Sequence, residues 1–315
     1  MKSSNIIANG AMLLAIYTVL LLISLYIPIL DMVTFFVLPV PVVWFVAKYG
    51  PKPSIPFISS ALLLSAIFGT IFSVPLTVLA SIGGLTLGLS FYYKKTAYER
   101  LLISTVGFLF GFIIVLGIIQ MLFEINLIEE MNEILETSFE TTYEVMGPLV
   151  NEEVKQEMEG IQEQLLGFRY LIPSLLVMVS LLHAFITQWV SQKMMNRLDR
   201  KAYSFPPFRE FKLPVSVIWY YLAGLLLMWL NPDTSSLLNQ IGLNLYYLLG
   251  MLLILQGFSF LFYVSYVKEW PKAVPALLVI LSILLSFVFL YIIRILGIID
   301  LGFSLRNRIK KNGPK

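Results

Sequence analysis

The sequence contains no cysteine and a single histidine, His183. The first absence excludes disulfides, thiolate zinc sites, iron–sulfur clusters and cysteine nucleophiles together. The second leaves any imidazole metal site without a partner ligand. Charge is scarce as well: 13% of the 315 residues are charged and 58% are hydrophobic, with a mean hydropathy of +0.84. A soluble domain carries about 25% charged and roughly 45–50% apolar residues. A soluble core of this size would still need a charged surface, so lipid is the missing solvent. Catalytic signatures are also missing, with no HExxH, GxSxG, Walker A or dinucleotide glycine pattern. Gly257–Phe258–Ser259 lacks the second glycine of a serine motif. Glu129–Glu130 and Glu152–Glu153 lack the spaced arginine of a membrane-protease glutamate pair. No catalytic residue, metal ligand or cofactor is expected, and the chain does not read as an enzyme.

What is present is a series of long apolar runs. A bilayer core of about 30 Å needs about 20 apolar residues in helical form. Runs of this kind fall near 6–27, 32–47, 55–71, 74–92, 101–123, 168–190, 214–230 and 241–267, followed by a stretch from 273 to 303. The first, from Ile6 to Pro28, reads as a transmembrane helix rather than a cleavable signal peptide. Prolines bound the shorter runs. The expected fold is an all-α integral membrane protein, a polytopic bundle of about nine to ten membrane segments forming one domain over 1–315.

Net charge is +3, but it is segregated. Residues 124–167 hold 12 of the 19 acidic residues against one base, Lys155, so this stretch is −11 and the remainder +14. The bases lie in short loops, at Lys48 and Lys52, at Lys94, Lys95 and Arg100, and in the loop 191–213. Short basic loops are cytoplasmic by the positive-inside rule, so the tilt reflects a membrane and not nucleic acid. A cytoplasmic N-terminus in a bacterial plasma membrane then places the acidic insertion 124–167 outside. Within that insertion Met131, Leu135, Phe139 and Tyr143, then Val154, Met158, Ile161 and Leu165, recur at helical spacing around a Gly147–Pro148 break. This is an acidic helical hairpin, either extending the flanking spans or serving as a lid or docking surface. The tail Arg306–Lys315 is basic, and one helix over 273–303 would carry Arg294 inside apolar sequence, which is costly. Two short helices, roughly 273–287 and 289–303, return the tail to the cytoplasm.

Polar residues inside spans face a cavity or another helix, because hydrocarbon penalises them. Tyr17, Gln120, Asn244 and Gln256 lie at mid-depth or in the outer half and are the candidate ligand-binding residues; Asn9, Trp44, His183 and Gln188 lie deeper. For each, an interhelical hydrogen bond competes with ligand contact. Small residues form close-approach faces: Ala11 with Ala15, Gly83–Gly84 with Gly88, and Gly107, Gly111 and Gly117. Such faces pack within the bundle or dock another membrane protein.

The run from Ala11 to Leu20 with Pro28, then Leu38–Pro39–Val40–Pro41 and Lys48–Tyr49–Gly50, resembles the start of the YybS-like membrane proteins of Gram-positive bacteria. The elbow Phe205–Pro206–Pro207–Phe208–Arg209–Glu210–Phe211–Lys212–Leu213–Pro214 is similar to that family's aromatic-and-proline loop, and Leu296–Gly297 through Asp300 to Arg306 resembles its closing motif. That family in turn distantly resembles the S components of energy-coupling-factor transporters. The likeness implies capture of a small solute from outside by six helices, and alanines of the first helix presented to a transmembrane coupling subunit. Ala11 and Ala15 match that face. The chain departs in its additional spans and acidic lobe. The expected function is a solute-binding or transport component that relies on a partner for energy. The alternative is an envelope scaffold acting through the acidic lobe or the elbow. Convergence of the mid-depth polar residues on one cavity would favour the first, and their scatter the second.

Overall fold

The computed structural model describes residues 3–124, 126–146, 152–271 and 273–309. Every regular element among them is helical, and seven helices are long and apolar enough to cross a membrane. The Gly147–Pro148 break and most of the basic tail lie outside the described residues. The chain forms two compact units: 1–151 with 176–204, and 152–175 with 205–315.

The first unit holds six apolar segments. They are α1 (Ser3–Tyr26), the pair α2 (Pro28–Val37) and α3 (Val40–Tyr49), α4 (Pro51–Phe68), α5 (Val74–Tyr92), α6 (Ala97–Phe123) and most of α9 (Ile172–Leu198). Proline opens α2 and α4 at first-turn positions, where its missing N–H costs nothing. Gly50 separates α3 from α4 at φ +78°, and a Cβ there would lie 2.8 Å from the Tyr92 ring. Only glycine meets both demands. The span expected from 101 begins at Ala97, because Thr96 and Glu99 close a reciprocal cap over the first turn of α6.

Helix α3 is buried continuously from Val40 to Val46, as an all-round apolar helix should be. It packs on α5 through glycine. A Cβ on Gly84 would meet Val42 at 2.8 Å, and one on Gly88 would meet Val46 at 2.5 Å. Gly83 accepts the Phe108 ring, and Gly107 accepts Thr86 from α5. Gly83, Gly84, Gly88, Gly107 and Gly111 therefore lie on internal seams between α3, α5 and α6, whereas Gly117 of the expected α6 face meets nothing within 4 Å.

Helix α9 is patterned inside out. Ser180, His183, Ala184, Thr187, Gln188, Ser191, Gln192 and Met195 are buried, whereas Leu175, Val179, Leu182, Phe185 and Trp189 are exposed. A water-soluble helix would reverse this; lipid is the solvent that fits. The buried stripe continues past 190, so the first part of the expected loop 191–213 is helix up to Leu198.

The acidic segment forms α7 (Leu127–Met146) and α8 (Glu152–Gly167). On α7, Met131, Leu135, Phe139 and Tyr143 are half-buried, while Glu133, Glu136, Glu140 and Glu144 are exposed.

The second unit contains α8, α10 (Ser216–Leu230), α11 (Leu237–Val267), α12 (Ala273–Leu284), α13 (Ser286–Phe303) and the short α14 (Leu305–Arg308). Asp233, in the turn before α11, accepts from the Ser235 amide and hydroxyl, which hold its carboxyl below the ordinary value. Helices α11 and α13 run parallel: Gly250 faces Arg294, Leu253 meets Gly297, and Gln256 meets Asp300. The chain between them must therefore return to the starting end. Helix α12 makes that return, with the turn at Leu285, a little before the split expected at 287–289. Its 12 residues reach only about 18 Å, short of a full crossing. Nine to ten membrane segments are expected; seven helices have the length and hydropathy of a crossing, and Ser216–Leu230 and Ala273–Ser282 are shorter apolar helices.

Candidate functional site

Hydrogen-bonding groups removed from water need partners, so the polar side chains inside the spans define where each unit can do more than pack. In the first unit a set of hydroxyls gathers where α4 meets α5. Ser65 and Ser73 lie 2.7 Å apart, Thr77 donates to Ser65 at 2.8 Å, and Ser73 also reaches the Thr70 carbonyl at 2.8 Å. Tyr17 of α1 is fully buried, and its hydroxyl lies beside Thr77 without a hydrogen bond of its own. Tyr17 thus joins a buried hydroxyl cluster from α1, α4 and α5. Gln120, near the end of α6, is exposed and takes no part in it.

Deeper in this unit His183 is enclosed by Phe35, Phe36, Phe108 and Phe112, stacking on Phe108 at 4.2 Å. Its nitrogens have no hydrogen-bond partner, and the ring serves as an aromatic filler. Thr187 donates to the Phe36 carbonyl at 2.9 Å and Gln188 to the Ala97 carbonyl at 3.0 Å, so both tie helices together. Trp44 of the buried α3 donates to Asp199 at 2.6 Å.

The α1 face behaves differently from the glycine seams. Ala11 and Ala15 are exposed, as are Met12 (49%), Ile16 (45%) and Val19 (56%) along the same helix. Among the described residues of their own unit the alanines therefore have no close helix neighbour, whereas Gly10 on the other side lies against Phe45.

In the second unit the two remaining candidates serve separate junctions. Asn244 accepts from the Ser174 amide at 2.8 Å and donates to the Tyr170 carbonyl at 2.7 Å, fastening α11 to the start of α9. Gln256, 12 residues along the same helix and thus about 18 Å away, accepts from the Leu213 amide at 2.9 Å and donates to Asp300 at 2.5 Å. Within this unit they share no cavity.

Around Gln256 the elbow and the closing motif come together. Asp300 is fully buried and pairs with Arg306 at 2.9 Å. Arg306 also donates to the Arg209 carbonyl at 2.9 Å and to Ser259 at 3.0 Å. Ser259 in turn donates to the Phe208 and Phe211 carbonyls at 2.8 and 2.7 Å. Tyr263 holds the Arg306 and Ile309 carbonyls at 3.1 and 3.0 Å. The elbow is thus an ordered strap, clamped by side chains of α11 and the tail. In sequence the two motifs stand apart; Ser259 was visible only in an incomplete serine motif, and Tyr263 carried no signal beyond lying on α11.

No solved structure matches the chain. It is 28% identical over 314 residues, covering 98% of this chain and all of the relative, to "Uncharacterized protein YybS" of Bacillus subtilis (strain 168). The family description "Predicted membrane protein (DUF2232)" matches residues 15–301. That match includes the hydroxyl cluster, the elbow and Asp300, and stops before Arg306. The chain therefore belongs to the DUF2232 family of predicted membrane proteins.

Proposed function

We propose that this protein is a non-enzymatic membrane component that binds a small solute and docks, through Ala11 and Ala15 of α1, a transmembrane partner that supplies energy. The observation that carries the reading is the exposure of those two alanines, while Gly83, Gly84, Gly88, Gly107 and Gly111 are sealed inside the same unit. A face of small side chains four residues apart, left open, admits a foreign helix backbone closely. Two features support it. The unit bearing the face has six apolar segments, the number implied by the resemblance to S components. It also holds the outer-end hydroxyl cluster with the unsatisfied Tyr17, a place for a polar solute.

Leucine at both positions is expected to change thermal stability by less than about 0.5 kcal/mol, because nothing in the chain is crowded. Cross-linking from Ala11→Cys in native membranes, in a chain with no other cysteine, should yield a protein adduct that Ala15→Leu abolishes. A destabilised double-leucine variant, or an Ala11→Cys adduct unaffected by Ala15→Leu, would remove the reading.

A membrane scaffold acting through the elbow is the second reading. Its support is the ordered strap with Phe208 42% exposed, together with Asn244 and Gln256 each fastening its own junction. Mass spectrometry of the protein released from native membrane separates the two, since a scaffold carries no stoichiometric solute.

For orientation we place the N-terminus, elbow and tail in the cytoplasm and the acidic lobe outside. Among single-cysteine variants, Glu140→Cys should react with an impermeant maleimide on intact cells, while Lys201→Cys and Asn307→Cys should not. Labelling at 307 would reverse the assignment of the α12–α13 hairpin.

A further inference from the structure

Arg294 stands midway along α13, about 12 Å from its nearer end, in a segment whose neighbours are Ile292, Ile293, Ile295 and Leu296. A cation at that depth is expensive unless an anion accompanies it. No carboxylate among the described residues pairs with it. The acid on its own helix, Asp300, is committed to Arg306 and Gln256. The guanidinium instead has the Tyr221 hydroxyl at a long 3.4 Å and the face of Tyr246 at 5.0 Å. Its Nε is buried without a partner. A guanidinium has five N–H donors arranged as a planar fork; here the Nε–H is unanswered and Nη1 has only the long contact to Tyr221.

The surroundings are shaped to leave this group room. Gly250 of α11 lies opposite, and a Cβ there would sit 3.2 Å from the guanidinium carbon. The Tyr221 and Tyr246 rings stack at 5.4 Å and form a wall beside it. An unneutralised fork with a phenol alongside, and no carboxylate to fill it, has the complement of an oxyanion. We propose that Arg294, with Tyr221, binds a small ligand through a carboxylate or phosphate group, and that this anion is the missing counter-charge. The site lies in the second unit and does not depend on the alanine-face reading. It is also distinct from the clamp at the elbow, where Arg306 already has Asp300.

The test uses the full-length protein purified in a non-ionic detergent. Thermal unfolding is followed against inorganic phosphate and against acetate, with chloride matching ionic strength. Parallel samples contain phosphatidylglycerol or phosphatidylcholine in mixed micelles. Wild type should show a saturable rise in Tm with at least one of the two anions or with phosphatidylglycerol, and none with chloride or phosphatidylcholine. A response to the free anions assigns the site to a solute, and a response to phosphatidylglycerol alone assigns it to a lipid headgroup. Arg294→Gln should lose the response, Arg294→Lys should bind about tenfold more weakly or worse, and Tyr221→Phe should weaken binding while the protein stays folded. Arg294→Gln removes a charge from the membrane, so its own melting without anion should not fall. An identical response in Arg294→Gln and wild type would overturn the proposal. So would a flat wild type in all samples, or an Arg294→Gln variant that is destabilised without ligand and unresponsive, which would make Arg294 a structural donor to Tyr221.

Discussion

Replacing Arg306 by alanine is expected to destabilise the solubilised protein by about 3–5 kcal/mol, the cost of stranding a buried charge. Asp300 is fully buried, and one of its oxygens already lacks a partner. Arg306 supplies its counter-charge at 2.9 Å and at the same time holds the Arg209 carbonyl and Ser259. Without it the carboxylate keeps only the Gln256 amide, and the strap loses its clamp. Two readouts should move together: the melting temperature falls, and trypsin gains access to the elbow at Arg209 and Lys212. The double variant Asp300→Asn with Arg306→Gln should be milder than Arg306→Ala alone, because it removes both charges and keeps hydrogen-bonding groups in place. If Arg306→Ala melts with wild type and its elbow stays protected, the pair does not hold the strap.

Alanine at Gly297 is expected to cost about 1–3 kcal/mol or more by overpacking. A Cβ there would stand 2.1 Å from the Leu253 carbonyl oxygen, and one at Gly257 would stand 2.1 Å from the Ile293 carbonyl oxygen. Both obstacles are backbone, so no rotamer change relieves them and α11 must move away from α13. That shift would also pull Gln256 from Asp300, coupling this seam to the elbow. Gly117→Ala is the contrasting substitution. Nothing lies within 4 Å of its Cβ position, and alanine should gain about 0.5–1 kcal/mol of helix stability. Equal melting of Gly297→Ala and Gly117→Ala would show that the parallel packing of α11 on α13 is looser than drawn here.

Some of the candidate residues were legible in sequence only as polar groups in apolar runs. Tyr17, Asn244 and Gln256 do lie where hydrocarbon would penalise them, and each is met by protein instead. Gln120 shares the same sequence context but sits near a helix end, on an exposed face. Spacing along one helix cannot separate these cases, since the difference depends on which neighbouring helix arrives. Arg294 was noticed in sequence as a cost to be avoided by a hairpin. The hairpin is there, yet the arginine remains at mid-helix, opposite a glycine that only the parallel pairing of α11 and α13 brings to it.

The sequence by itself determined the solvent, the helical class and the acidic amphipathic insertion. These depend on composition and local period, which are properties of short stretches and the water or lipid around them. Tertiary structure alone decided the division into two units and the continuation of α9 to Leu198. It also decided that Gly83, Gly84, Gly88, Gly107 and Gly111 are sealed while Gly117, Ala11 and Ala15 stay open, and that the elbow and closing motif form one clamp. Each of these is settled by contacts between residues far apart in the chain, such as Gly88 with Val46 or Arg306 with Arg209. A small residue looks the same in sequence whether a helix packs on it or not. Only the arrival of the second backbone makes the difference.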